Sequence, residues 1–437
     1  MMECNVIGAG LAGSECALQL AKRGIKVNLY EMRPIKSTQA HKTPDFAEFV
    51  CSNSLGSDDI LNASGLLKKE MELLGGELIK IAYQTRVPAG GALAIDRGLF
   101  SKTVTDKIKS NPNITVINKE VTQIPDAPTV IASGPLTSSD FAQSIKSFTD
   151  SEYLYFFDAI APIVEKDSID FEKAFYANRY DKDADNPAYI NCPMNKQEYE
   201  RFYDYLINAP KIELKDFEKG AKFFESCLPI EVLASRGFNT LRFGPMKPVG
   251  LIDKRTGEEN FAVVQLRQDN SAKSLYNLVG FQTNLKWGAQ KELLQLIPGL
   301  ENVNIVRYGV MHRNTFINSP KLLNPTLQTK KRADLFFAGQ ISGTEGYTES
   351  IASGLLAGIN MSRFLKGEPL LELPKDTMLG ALTHYITNPE ITNFQPINSN
   401  WGIVPAIELP KKERKNKKLK NELLAKRALE CFEKIQL

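Results

Sequence analysis

Histidine is scarce: the three in the chain, His41, His312 and His384, stand far apart, which leaves no histidine cluster for a metal centre. Six cysteines, at positions 4, 16, 51, 192, 227 and 431, fall at wide, irregular spacings with no CxxC pair and no histidine partner nearby. That pattern excludes a zinc ribbon and a disulfide framework, so no metal site is predicted. No apolar run approaches the ~20 residues that cross a bilayer. The opening residues, Met1 to Asn5, are too few and too acidic for the basic region of a signal peptide. These absences predict a cytoplasmic protein with no membrane partner. An excess of one charge is also missing: 54 basic residues face 51 acidic ones, for a net charge of +3, which names no partner. The single basic concentration, Lys411 to Lys420, reads either as a surface for RNA phosphates or as a solvated lead into a helix.

What is present begins at once. A short apolar strand, Asn5 to Ile7, runs into Gly8-Ala9-Gly10-Leu11-Ala12-Gly13. Gly8 permits a tight turn, Gly10 lets backbone approach a pyrophosphate, and Gly13 lets helix and strand pack closely. A helix is predicted through Ser14 to Arg23 and stops at Gly24, and Ile25 to Tyr30 alternates as a second strand. Glu31 then stands roughly 20 residues beyond the glycines, where an acid takes ribose hydroxyls. Strand, helix, strand and acid in register separate this stretch from an ordinary glycine turn. The acid favours FAD or NAD over NADP in this pocket, with the phosphates at the helix N-terminus.

At 437 residues the chain is long enough for two or three domains, each with its own core, and no internal repeat is evident. Phe46 to Val50 leads into Cys51-Ser52-Asn53-Ser54-Leu55-Gly56, so this thiol sits where apolar residues give way to turn formers. Leu61 to Ile81 reads as one helix, with Leu66, Leu67, Leu73 and Leu74 on its apolar face. The small residues Val87 to Ala94 are expected to pass close to a ligand. A helix is predicted over Leu99 to Ser110, and strands over Thr115 to Asn118 and Thr129 to Gly134. From Ser151 the character shifts to aromatics, acids and lysines, which marks an inserted domain to about residue 305; it carries Cys227 and the stiff Arg242 to Gly250. The nucleotide pattern then returns. Asp334 to Gln340 is a strand running into Gly343-Thr344-Glu345-Gly346-Tyr347, and Ser350 to Phe364 is a small-residue helix. Two separated glycine loops closing one crevice fit FAD, which is longer than a single loop can hold. Leu419 to Ile435 is an amphipathic helix expected to pack on the core. The reading is an α/β, glutathione-reductase-like FAD-binding Rossmann domain, residues 1–150 and 306–437, interrupted by an inserted α+β domain, residues 151–305.

The ordered set Gly8 to Glu15, Cys51 to Leu55, Pro88 to Ala94, Gly244 to Gly250, Val263 to Asp269, Arg307 to Thr315 and Phe337 to Gln340 closely resembles the folate- and FAD-dependent tRNA (uracil-5-)-methyltransferase family, nearly end to end. The resemblance implies an enzyme that takes a methylene group from methylenetetrahydrofolate, reduces it with electrons from NADPH or NADH through FAD, and leaves 5-methyluridine in RNA. The RNA it implies is tRNA at the T-loop, or a uridine of 23S rRNA, on which some relatives are thought to act. Uracil C5 is a poor nucleophile until something adds to C6, and a thiolate suits that reversible addition.

The family's two cysteines map onto Cys51 and Cys227. One adds to C6 and the other helps remove the C5 proton; we assign Cys227 the first role and Cys51 the second, and the sequence leaves the order open. Cofactor contacts fall on Gly8, Ala9, Gly10, Leu11, Ala12, Gly13, Glu31, Gly339, Gln340 and Gly346. Arg97, Arg267 and Lys247 are candidates for contacts to folate, nicotinamide-cofactor phosphates or RNA, with ion pairing inside the protein as the other reading. Cys4, Cys16, Cys192 and Cys431 read as small hydrophobes. The chain departs from the family at Gly56, where a basic residue is expected, and at Asn284, often histidine; both departures bear on the RNA target. Two other classes compete: an FAD-dependent oxidoreductase of a small metabolite, which needs neither cysteine, and a flavin-containing RNA-binding protein without turnover.

Overall fold

The structure, a computed structural model, describes residues 2–38, 40–150, 154–159, 161–181, 187–212, 228–252, 257, 260–309, 311–410, 413 and 416–435. Its first sheet has five parallel strands in the order Leu335–Phe337, Thr129–Ile131, Glu3–Ile7, Lys26–Glu31, Ile114–Asn118. The strand from the far end of the chain, Leu335–Phe337, thus lies two places from the first. Parallel strands need crossovers, and the helix Leu11–Lys22 makes the first of them. It is buried from Leu11 to Ala21 because it lies under the helix Tyr347–Lys366. Gly354 and Gly358 make that contact possible: a Cβ on Gly354 would sit 2.2 Å from the Ala12 carbonyl oxygen, and one on Gly358 2.9 Å from that of Cys16. Small residues along one helix therefore set how closely the two glycine turns approach.

Local predictions around this sheet hold within a residue or three. The reading of one helix over Leu61 to Ile81 does not: the segment is two helices, Ala63–Leu73 and Leu78–Gln84. Gly75, at φ +77°, and Gly76 break it. The second helix is started by a distant side chain, since the Glu15 carboxylate accepts the N–H groups of Glu77 and Leu78. Of the four leucines expected on one apolar face, Leu66, Leu67 and Leu74 are buried and Leu73 is exposed. The terminal helix, Lys417–Phe432, packs on the core through Leu424, Ala428 and Phe432, as expected.

An antiparallel six-stranded sheet, in the order Phe175–Tyr176, Tyr189–Met194, Ala262–Gln268, Leu275–Leu278, Ile163–Glu165, Ile305–Arg307, carries a second core. The helix Lys196–Asn208, opened by a reciprocal Asn195–Glu198 cap, buries Tyr199, Phe202 and Leu206 against it. The fold is the expected α/β type with an inserted α+β part. No helix among the described residues is long and apolar enough to cross a membrane. Cys4, Cys16 and Cys192 are buried, as small hydrophobes should be.

One surface charge cluster gives a pH test. Burial alone would raise the Glu77 carboxyl, but Lys107, Lys80 and Lys22 outweigh it and hold the group near about 2. A carboxyl depressed in the folded state stabilises above its unfolded value and loses that contribution as pH falls. Glu77→Gln should cost about 1–2 kcal/mol at pH 7 after solvent screening. The gap to the parent chain should close as pH falls from about 4.5 to about 2, as read by urea unfolding at a series of pH values; a pH-independent gap would contradict it.

Candidate active site

Both glycine turns open on one cleft of about 390 Å³. Gly8, Gly10, Leu11, Ala12 and Glu31 line one side of it, and Gly339, Gln340 and Gly346 another, with Cys51 between. Ala9 and Gly13 are not in the lining. The reasons for glycine differ along the first turn. Gly8 has φ +98° and a Cβ there would lie 2.6 Å from the Ala132 carbonyl oxygen, while one on Gly13 would lie 1.8 Å from the Gly8 oxygen. Those two serve the fold. Gly10 meets no protein atom within 4 Å of the missing Cβ, yet it lines the cleft and caps the helix. Its smallness serves whatever occupies the cleft, and the unpaired N–H groups of the first helical turn suit a phosphate there. The far wall repeats the arrangement: Gly339 at φ +81° lies against Ala12, and Gly346 at φ +113° caps the helix Tyr347–Lys366. These residues fit a dinucleotide of FAD's length.

Glu31 is held by a partner that sequence reading missed. Its Oε2 accepts from the Ala9 N–H at 3.0 Å and from Arg33 Nη2 at 3.3 Å, and its Oε1 accepts from the Arg33 N–H and Nε, both at 3.0 Å. Burial pushes this carboxyl up, but the Arg33 guanidinium and the backbone donors outweigh burial and keep it below the usual carboxylate range. Glu48 takes a further guanidinium bond at 3.3 Å. The Glu31 carboxylate is therefore ionised and fixed in orientation at the cleft wall. The pairing is local, since Arg33 stands in the turn two residues beyond Glu31, the last residue of its strand.

Cys51 is half-buried on a turn whose backbone is gripped on three sides. Arg97 Nη1 donates to the Phe49 carbonyl at 3.1 Å, Arg307 Nη2 donates to the Val50 carbonyl at 2.6 Å, and the Cys51 N–H donates to the Tyr347 hydroxyl oxygen at 2.6 Å. Arg267 Nε reaches Asn53 Oδ1 at 3.0 Å, two residues on. Burial and the neighbouring Arg97 act against charge on Arg307, whereas Tyr347 and the Cys51 thiol favour it; the same thiol favours charge on Arg267. Two guanidiniums, Arg307 and Arg267, thus stand near enough to the Cys51 thiol to interact with it. The arrangement can hold a nucleophilic or basic sulfur in the wall of a nucleotide cleft.

Other expectations resolve differently. Cys227 lies outside the described residues. Arg97 is an ion-pair member, 2.8 Å from Asp269, and Arg267 is buried on Asn53, so both bind protein rather than an open anion site. Lys247 does not line the cleft. The Val87 to Ala94 stretch, expected beside a ligand, is partly a strand, Ala92–Ile95, and its small residues lie against Tyr189, whose hydroxyl donates to the Ala89 carbonyl. Gly56 has φ +76°, and its Cβ would be 3.0 Å from Ser64 Oγ, so the turn itself disfavours the basic side chain expected there. Asn284 is buried and donates to the Ile212 carbonyl at 3.0 Å. Sequence reading missed Arg33, Arg307 and Tyr347; only Arg33 is close in sequence to the residue it holds.

A parallel sheet, two glycine turns at helix N-termini and a paired acid define a glutathione-reductase-like dinucleotide-binding protein. The comparisons agree and go further. The family model for "Glucose inhibited division protein A" matches residues 3–369. Relatives named methylenetetrahydrofolate--tRNA-(uracil-5-)-methyltransferase TrmFO are 60% identical in Bacillus velezensis, over 99% of this chain and 98% of theirs, and 59% identical in Bacillus subtilis, over 99% and 98%. Aquifex aeolicus GidA shares the fold at a TM-score of 0.68 and 18% identity, covering 98% of this chain and 73% of that one. The chain belongs to the methylenetetrahydrofolate--tRNA-(uracil-5-)-methyltransferase family.

Proposed function

We propose that this protein transfers the one-carbon unit of methylenetetrahydrofolate to C5 of a uridine in RNA, forming 5-methyluridine, with FAD and NADPH or NADH supplying reduction. The target is the tRNA T-loop, in the cytoplasm; 23S rRNA is the other RNA to test. The observation that carries the reading is Cys51, which lines the cleft shared by the two glycine turns and whose backbone is held by Arg97, Arg307 and Tyr347. A generic small-metabolite oxidoreductase has no use for a thiol gripped in this way by arginines.

FAD, when bound, passes electrons from the nicotinamide cofactor to the one-carbon unit. Residues Gly8, Gly10, Leu11, Ala12, Gly339, Gln340 and Gly346 would hold its phosphates and ring end, and Glu31 its ribose. One thiolate, from Cys51 or Cys227, adds to uracil C6. The pyrimidine ring carries the resulting charge as an enolate, and C5 becomes the nucleophile that takes the one-carbon unit, the carbon's bond to its carrier nitrogen breaking as the bond to C5 forms. The second cysteine removes the C5 proton, and elimination of the first sulfur restores the C5–C6 double bond. The chain divides accordingly into residues 1–150 and 306–437, which hold the cofactor, and 151–305, a reading supported by the separate hydrophobic cores.

The test is mass spectrometry of nucleosides after incubation with FAD, NADPH, isotopically labelled methylenetetrahydrofolate and, separately, unmodified tRNA and large-subunit rRNA. Label in 5-methyluridine of tRNA is expected. Label confined to rRNA would move the target, and no label in either RNA, with flavin bound and reducible, would overturn the proposal in favour of an oxidoreductase of a small metabolite.

A further inference from the structure

Trp287 is 62% exposed and stacks on Tyr308, with ring centroids 5.5 Å apart and planes 19° from parallel. A large indole left in solvent forgoes substantial burial. Its place in the fold is specific. Tyr308 directly follows Arg307, whose guanidinium holds the Val50 carbonyl beside Cys51. Trp287 follows the stretch Gln282 to Leu285, and Gln282 lines the cleft. That same stretch pins the chain at Ile212, whose N–H donates to the Asn284 carbonyl at 3.0 Å, and at Ile230, whose N–H donates to the Gln282 carbonyl at 2.7 Å. The ring pair therefore sits on two short tethers that both lead to the cleft.

Its surroundings are cationic. Lys286 and Lys291 are exposed on either side of Trp287, Lys291 one helical turn along, and the backbone of exposed Lys211 bridges to Leu285, its ammonium donating to the Ile207 carbonyl. An aromatic face framed by lysines suits a base of a single-stranded nucleic acid, which stacks on the ring while its phosphates meet the ammonium groups. A purely apolar protein partner would leave the lysines uncompensated.

We propose that Trp287, backed by Tyr308, is a stacking platform for an unpaired base of the RNA substrate, next to the uridine that enters the cleft. This rests on the proposed function and adds where the RNA loop lies and what grips it.

The test uses the flavin-loaded protein and a T-arm RNA hairpin in filter-binding titrations, comparing the parent chain with Trp287→Ala and Trp287→Phe. Trp287→Ala should weaken binding about five- to a hundredfold, Trp287→Phe much less, and Lys291→Ala should flatten the dependence of log affinity on log salt. Flavin content and melting temperature should not change, because the indole is largely in solvent. Equal affinity of Trp287→Ala and the parent chain would overturn the platform while leaving the functional reading intact. Loss of self-association in Trp287→Ala, with RNA affinity unchanged, would instead make the ring pair a contact between copies. Absence of RNA binding by the parent chain would overturn the functional reading and the platform together.

Discussion

Replacing Cys51 with alanine is expected to abolish methyl transfer, by at least about a thousandfold, while flavin stays bound. The two halves of that expectation have separate grounds. Flavin retention follows from the two glycine turns at helix N-termini, which alanine at position 51 leaves in place. Loss of transfer follows from the chemistry of uracil, whose C5 reacts only while a sulfur is bonded to C6 and gives up its proton only to a base in place. Alanine can do neither, whichever role Cys51 has. Cys227→Ala should be equally inactive, and the two are told apart with RNA carrying 5-fluorouridine, which lacks the C5 proton: the variant missing the nucleophile forms no covalent complex, whereas the other still does. Arg307→Gln gives a graded version. It removes the guanidinium that grips the Val50 carbonyl beside Cys51, so methyl transfer should slow by up to about a hundredfold through misplacement of the thiol while flavin content stays unchanged. Full turnover by Cys51→Ala would remove this cysteine from the mechanism.

What could be read ahead of the structure was set by distance along the chain. The first strand, the glycine turn, the helix and the second strand are contiguous, and each reports on itself through period and turn chemistry; they emerged as Glu3–Ile7, Leu11–Lys22 and Lys26–Glu31. The glycine turn before Tyr347–Lys366 was legible for the same reason. The resemblance singled out Cys51, and the structure puts it in the cleft lining. What holds Cys51 was not legible. Tyr347 is 296 residues from Cys51, and Arg307 is 257 from Val50, so no local pattern announces either bond. The same limit explains the Leu61 to Ile81 error, where apolar spacing suggested one helix but Gly75-Gly76 and the distant Glu15 carboxylate make two. Arg97 and Arg267 show the converse: the sequence left ligand contact and ion pairing inside the protein both open, and only the folded chain shows their protein partners, Asp269 and Asn53.

Gly354→Val should unfold the nucleotide cleft more thoroughly than any change to a residue lining it. The helices Leu11–Lys22 and Tyr347–Lys366 each begin at a glycine turn, and their spacing fixes the distance between the two cofactor-facing loops. At Gly354 a Cβ would stand 2.2 Å from the Ala12 carbonyl oxygen and 2.7 Å from its Cα, which are backbone atoms with no rotamer to escape into. Only separation of the helices can relieve such an overlap, since the backbone of the adjacent Gly13 is already packed directly against Gly8. Overpacking at a backbone contact costs about 3 kcal/mol or more, and the displaced turns should release flavin. The expected result is a lower melting temperature together with a reduced ratio of flavin to protein absorbance after gel filtration. Gly288 supplies the contrast. It lies in the helix Trp287–Gln295, has nothing within 4 Å of a Cβ, and is exposed, so Gly288→Ala should stabilise by up to about 1 kcal/mol through helix propensity. Opposite signs from two glycines in helices would establish that contact between helices, and not a general intolerance of substitution, holds the cleft together. Full flavin retention and an unchanged melting temperature in Gly354→Val would show that the two turns are positioned by something other than this contact.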